Sequence, residues 1–211
     1  MSFEAMICIF AKPPVAGDVK TRLAAVLGAD AAARLARAFL EDTIESVQGL
    51  AWAQAALATT GAVEADIPVL LQGEGDLGAR IERVLTAALQ RAPIAMAIGA
   101  DAPALPSRLL ESARTALQDA DVAVGPADDG GFYLLALRHF PEGLLRDIPW
   151  SSVDTLHATL KRLRALGLRI RLLEPWFDVD RAEDLERLQT LMDQGVLHAP
   201  RTALVLKELR R

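Results

Sequence analysis

The chain has a single cysteine, so no intrachain disulfide can form, and a reducing cytoplasm is the compartment this implies. That residue, Cys8, sits inside an apolar run and reads as a small buried hydrophobe rather than a nucleophile. Basic surface is also scarce. Lys and Arg number 23 against 28 Asp and Glu, a formal charge of −5. That balance argues against a general affinity for nucleic acid or anionic membrane. The longest apolar stretches are too short to span a bilayer, and no basic–apolar–small leader precedes them. The three histidines, His139, His157 and His198, are scattered, and there is no Gly-x-Ser-x-Gly elbow or His-Glu-x-x-His. Acyl-transfer triads and zinc peptidase chemistry therefore lack their parts. Fixed-period repeats, low-complexity tracts and breaks in composition are missing too. With 52% hydrophobic residues, 211 residues can bury a substantial core, and one domain spanning residues 1–211 is the expectation.

What is present alternates. Residues 5–11 (AMICIFA) read as a buried strand. The spacing of Leu23, Leu27, Leu35, Phe39 and Ile44 then predicts helix over 20–48, broken near Gly28. Strands are expected at 51–59, 67–72, 94–100, 121–126, 131–137 and 168–174. Helices are expected at 77–91, with Leu77, Ile81, Val84 and Leu85 on one side, and at 106–119, 151–166 and 181–194. Ser151 with Asp154, and Asp180 with Glu183, read as capping boxes for the last two. Near-continuous apolar strands between helices imply an α/β fold, a mostly parallel central sheet with helices on both faces. In such sheets ligands bind beyond the carboxyl ends of the strands, near a topological switch point.

The polar signals fall at those ends. After the first strand comes FAKPPVAGDVKTRLA, residues 10–24. The chain has only four lysines, and two of them, Lys12 and Lys20, lie here with Arg22 and Gly17. A lysine serves phosphate as a mobile point charge, and a glycine lets backbone approach a ligand closely. The stretch is not a Walker A loop, because Gly17 is followed by Asp-Val-Lys-Thr. Asp101 closes the strand at 94–100, either as a ligand for a hard cation or as a cap for the helix near Pro106. Asp178 and Asp180, two apart, would point to one side of an extended chain; Asp180 reads equally as a metal or substrate ligand and as a helix cap. Asp129 precedes Gly130 and Gly131, paired glycines on which a ligand could lie, and Asp128 with Asp129 also fits a plain turn. Cations and carboxylates around one cleft suit a phosphate ester bound with Mg²⁺ or Mn²⁺.

Residues 73–78, GEGDLG, match G-x-G-x-x-G between an expected strand and helix. Glu74 and Asp76, however, set two carboxylates where a pyrophosphate should be welcome. A dinucleotide site also leaves Lys12, Lys20, Arg22 and the late aspartates without a role.

Taken in order, four runs resemble a known family. They are Lys12-x-Pro14-x-x-Gly17-x-x-Lys20-Thr21-Arg22-Leu23, Gly99-x-Asp101-x-Pro103, Asp129-Gly130-Gly131-Phe132-Tyr133-x-Leu135 and Asp178-Val179-Asp180. Together they are similar to DUF2064, a bacterial family of glycosyltransferase-A-like proteins often called nucleotide-diphospho-sugar transferases. The similarity runs from residue 5 to about 190. It implies that fold, with the nucleotide at the strand ends of the first half and a small-molecule acceptor beside it. It further implies phosphate contacts from Lys12, Gly17, Lys20 and Arg22, and Gln72 and Gly78 near the nucleobase. By the same likeness Lys20 and Asp101 would act in catalysis, with Asp101 the principal ligand of Mg²⁺ or Mn²⁺ and Asp180 the second. Asp129, Gly130 and Gly131 would meet substrate. Gly99 stands where an Asp-x-Asp motif has its first carboxylate, and Phe132 where tyrosine is frequent. Glycosyl transfer from a nucleotide sugar is the activity expected first. Nucleotidyl transfer from a nucleoside triphosphate to a phosphorylated sugar or small acid follows closely, and a non-catalytic nucleotide-binding module is the reading from another class.

Overall fold

The computed structural model describes residues 3–103 and 105–210. The chain opens with β1 (Ala5–Ala11), whose first five residues are fully enclosed, as an uninterrupted apolar strand in mid-sheet must be. Helices α1 (Thr21–Leu27) and α2 (Ala29–Gln48) follow, separated at Gly28. Gly28 takes φ 89°, a left-handed value that stops one helix and lets the next begin. Then come β2 (Ala53–Thr59), β3 (Val69–Leu71), α3 (Leu77–Leu89), β4 (Ile94–Gly99), α4 (Ser107–Ala116), β5 (Val122–Pro126) and β6 (Phe132–Leu137). The chain finishes with α5 (Thr155–Ala165), β7 (Ile170–Leu172), α6 (Ala182–Asp193) and α7 (Pro200–Leu209).

Among the described residues the strands form one seven-stranded sheet in the order β3-β2-β1-β4-β6-β5-β7. All pairings are parallel except those of β6, which runs antiparallel to both β4 and β5. The chain moves outward from β1 to β2 and β3, then returns to place β4 on the other side of β1. The gap between β1 and β4 is thus the switch point, with Phe10 level with Gly99. One core packs Leu23, Leu35, Phe39, Leu109 and Leu110 against one sheet face; the other packs Ile81, Val84, Leu85, Leu145 and Leu163 against the opposite face. Both faces are covered, as the apolar strands require.

Three local expectations change. Helix α5 starts at Thr155, not Ser151: Ser151 sits at φ 57°, outside helical space, and the Thr155 hydroxyl donates to the Pro149 carbonyl at 2.6 Å, winding residues 149–155 into a turn. For α6 the capping carboxylate is Asp184, which accepts from the backbone N–H of Asp180 at 2.9 Å and of Arg181 at 2.7 Å, so Asp180 and Glu183 form no box. Helix α7 was not expected. Pro200 occupies its first turn, and buried Asp42 of α2 accepts from the N–H groups of Arg201 (3.1 Å) and Thr202 (2.8 Å), capping it from a neighbouring helix.

Candidate active site at the carboxyl edge of the sheet

The carboxyl ends of β1, β4, β5 and β7 and the start of β6 share one edge, and a cleft of about 620 Å³ opens there. Its walls include Phe10 and Arg22 from the β1–α1 region, Asp101 beyond β4, Asp129, Gly131 and Phe132 around the β5–β6 turn, and Asp178, Asp180 and Arg181 before α6.

Lys20 is the centre of the arrangement. It stands immediately before α1 at φ 47°, ψ 45°, a left-handed conformation that an ordinary side chain adopts at a cost of about 1 kcal/mol. Gly17, at φ 90°, makes the preceding turn; the space beside it is open, so its hydrogen answers the backbone angle rather than crowding. The turn sends the Lys20 chain inward over the Phe39 ring, leaving its side chain only 4% exposed. Its Nζ lies 2.5 Å from Asp101 Oδ1, donates to Asp180 Oδ1 at 3.1 Å and donates to the Val179 carbonyl at 2.7 Å. Burial alone would lower the Lys20 pKa; Asp101 and then Asp180 outweigh it and hold the pKa above the ordinary value. Arg22 reaches Asp180 more loosely, at 3.6 Å. Asp178 lies beside them and no hydrogen bond to its carboxylate is found among the described residues. Burial, followed by the charges of Asp101 and Asp129, pushes it up to about 7, with Lys20 opposing.

The structure thus brings Lys20, Asp101 and Asp180 into direct contact and sets Arg22, Asp129 and Gly131 on the same cleft. Asp101 does not cap α4, where no side-chain cap is made. Asp129 Oδ1 accepts the Gly131 N–H at 2.8 Å, so the turn and the cleft-lining position coexist. Its neighbour Asp128 turns away to Arg187 at 2.7 Å.

Other expected residues lie outside the cleft lining or have packing duties. Lys12 is exposed and lies outside the cleft lining. Gln72 is buried and donates through Nε2 to the Ala58 carbonyl at 2.9 Å and the Ala11 carbonyl at 3.5 Å, tying two strand ends together. Gly78 is buried where a Cβ would fall 2.6 Å from the Leu145 carbonyl oxygen, so packing demands glycine there. A Cβ on Gly130, which also has φ 90°, would fall 2.4 Å from the Val153 oxygen; this glycine holds residues 149–155 against the β5–β6 turn. In GEGDLG, Asp76 Oδ1 accepts the Ala79 N–H at 2.8 Å, so the protein's own carboxylate fills the helix N-terminus a pyrophosphate would need.

Residues 149–155 were missed. They line the far wall with Trp150, Ser151, Ser152 and Val153, facing Leu77 and Ile81 of α3. Leu77, grouped by its spacing with buried Ile81, Val84 and Leu85, is itself 41% exposed at the cleft. The sequence signal was Pro149-Trp150, a proline–aromatic pair just ahead of the helix expected at 151–166.

The DUF2064 family profile, described as an uncharacterized protein conserved in bacteria, matches residues 31–152, more than half of the chain. The chain belongs to the DUF2064 family. A solved structure of a candidate nucleotide-diphospho-sugar transferase from Desulfovibrio desulfuricans G20 is 31% identical, with a TM-score of 0.88, over 99% of this chain and 95% of that one. More distant likenesses share the fold. CMP:2-keto-3-deoxy-manno-octonic acid synthetase complexed with CTP has a TM-score of 0.60 at 17% identity, over 91% of this chain and 99% of that one. A cytidylyltransferase from Leptospira borgpetersenii has a TM-score of 0.59 at 12% identity, over 99% and 94%. No curated protein matches this DUF2064 chain. Among its described residues no helix is long and apolar enough to cross a membrane.

Proposed function

We propose that this DUF2064 protein is a metal-dependent transferase that takes a nucleoside diphosphate sugar as donor and passes the sugar to a small-molecule acceptor. The observation that carries the reading is the buried Lys20 ammonium held by Asp101 and Asp180 at the β1–β4 switch point. The likeness to the Desulfovibrio protein, over nearly the whole of both chains, supports the same donor class.

Among the described residues no three acidic, His or Cys side chains converge as a complete metal cage. Two carboxylates do converge on one cation, since Asp101 and Asp180 both reach Lys20 Nζ. That donor set fits Mg²⁺ or Mn²⁺, which are commonly held by one or two carboxylates and completed by substrate phosphates. When bound, the ion would neutralise charge on the departing diphosphate. Asp101 and Asp180 would hold it, and Lys20, released from them, would turn its ammonium to a phosphate oxygen. Arg22, 65% exposed at the rim, would meet the distal end of the diphosphate.

Nucleotidyl transfer is the second reading, favoured by Gly99, which leaves Asp101 as the lone carboxylate on its loop. The fold is shared with cytidylyltransferases, in line with that chemistry. A thermal-shift screen of nucleoside triphosphates and nucleotide sugars, with and without Mn²⁺, tests both, because a ligand of the folded state raises its stability with concentration. Stabilisation by a nucleoside diphosphate sugar, with nucleoside diphosphate released on turnover, is the expected result. Selective stabilisation by one triphosphate, with pyrophosphate released, would replace it with the second reading. Binding without turnover of either kind would make the protein a nucleotide-binding module, and no stabilisation in any condition would refute the whole assignment.

A further inference from the structure

The half of the cleft away from Lys20 has a chemistry of its own. Asp129 lines it, and among the described residues it lies within salt-bridge distance of no lysine or arginine. This contrasts with Asp101 and Asp180, which share Lys20, and with Asp128, which Arg187 draws away. Beside Asp129 stands an apolar wall. Phe132 and Trp150 meet edge to face, ring centroids 6.0 Å apart at 67°. Leu77 at 41% exposure and Val153 at 79% extend that wall toward solvent, uncovered by any part of the described chain.

A carboxylate only accepts hydrogen bonds, and Asp129 Oδ2 has no cationic partner among the described residues, so it asks for a ligand with O–H donors. It also repels phosphate, whose charge would lie beside it with no lysine or arginine within salt-bridge distance. An aromatic wall beside it asks for an apolar ring face. From this juxtaposition we infer that the acceptor subsite takes an uncharged polyhydroxylated molecule bearing an apolar ring, a sugar or an aryl glycoside, in preference to a sugar phosphate. The inference rests on the transferase reading and deepens it, because a neutral hydroxyl acceptor belongs to glycosyl transfer and a phosphorylated one to nucleotidyl transfer.

Saturation-transfer NMR on the full chain tests this with two probes, phenyl β-D-glucopyranoside and glucose 1-phosphate, in EDTA so that no metal bridges the phosphate. The phenyl glucoside is expected to bind, with saturation strongest on its aromatic protons, while glucose 1-phosphate at equal concentration does not. Trp150→Leu should weaken the phenyl glucoside about fivefold, the scale of one lost aromatic contact. Because Trp150 also packs beside Gly78, exposed Val153→Ser supplies a variant that keeps the fold and weakens binding in the same direction. Asp129→Asn retains the oxygen that accepts the Gly131 N–H, and should admit glucose 1-phosphate for the first time. Equal or tighter binding of glucose 1-phosphate by the unmodified protein overturns the inference, as does phenyl glucoside binding unchanged in all three variants. Nucleotide stabilisation on the same preparation without any phenyl glucoside binding would sink this inference and leave the transferase reading standing. Phenyl glucoside binding without nucleotide stabilisation would do the reverse.

Discussion

Replacing Lys20 with methionine separates the two roles the structure gives it. A lysine that served only to contact phosphate would be dispensable to the apo protein. The structure predicts otherwise. Lys20→Met removes an ammonium with two carboxylate contacts and one carbonyl contact while keeping the apolar stem over Phe39. Deleting one partner of a fully buried ion pair costs about 3–5 kcal/mol, whereas exposed pairs are worth about 0–1 kcal/mol. Lys20 belongs to the first class at 4% exposure, but Asp101 and Asp180, at 60% and 43%, can be reclaimed by water. The Val179 carbonyl loses its charged donor. The expected loss is therefore intermediate, about 2 kcal/mol, or roughly 4–8 °C in Tm for a chain of this size. Urea unfolding in EDTA should show it as a shift in midpoint at constant slope. The same variant should bind Mn²⁺ more tightly than the unmodified protein when no nucleotide is present, because the ion no longer has to displace an ammonium, and Mn²⁺ titration followed by electron spin resonance reads that directly. Unchanged stability together with unchanged Mn²⁺ affinity would mean that Lys20 is solvated, and the reasoning would fail.

Gly78→Ala should cost about 1–3 kcal/mol by pressing a Cβ toward the Leu145 carbonyl, seen as a lower urea midpoint; a neutral result would mean that the 144–150 segment yields easily. Asp42→Ala should cost about 1–2 kcal/mol through the lost cap on α7, with hydrogen exchange accelerating first at Arg201 and Thr202. Asp121 is held at about 2 by its hydrogen bonds with Arg169, below the unfolded value of about 3.9. Its stabilising contribution is thus present above the unfolded value and lost as pH falls toward the folded one, so Asp121→Asn should be less stable than the unmodified protein near neutral pH and equal to it in strong acid. A stability difference that persists unchanged in acid would contradict that assignment.

Fold class was legible because its signal is local and redundant. Strands β1 and β4 are enclosed on both faces, and such strands announce themselves as unbroken apolar runs. The direction of β6 was harder to see, because hydrophobic pattern carries no sign. The clue lay in the linker: β5 and β6 are joined by residues 127–131, far too short for a parallel crossover and suited to a hairpin. Residues 151–154 were misread as helix because the Thr155 hydroxyl bond to Pro149 and the close packing of Gly130 against Val153 override helix propensity there. Helix α7 had a readable start in Pro200, but its cap comes from Asp42, about 160 residues away in sequence. Among the site residues, Lys20, Asp101 and Asp180 were legible as chemistry at strand ends. Their mutual contact was not, because it joins residues 160 apart. Gln72 and Gly78, which the family resemblance sets near a nucleobase, also have packing duties that the sequence does not display: a buried amide that ties strands and a glycine that clears a carbonyl.

The opening loop invests strain to place one charge. A left-handed Gly17 and a left-handed Lys20 three residues later would be wasteful if the ammonium were bound for solvent, where any surface lysine would serve. Instead the two angles direct it beneath Val179, against carboxylates from β4 and from the approach to α6. Three aspartates, Asp101, Asp178 and Asp180, border that point, and Lys20 alone is closely held there, with Arg22 only loosely engaged. One ammonium does not balance the two carboxylates that touch it, and the proposed Mg²⁺ or Mn²⁺ would meet the remaining charge. A nucleotide's phosphates would in turn need both that ion and the displaced ammonium. On the proposed reading Lys20 is the internal counter-ion of Asp101 and Asp180, placed to exchange those partners for phosphate without moving far.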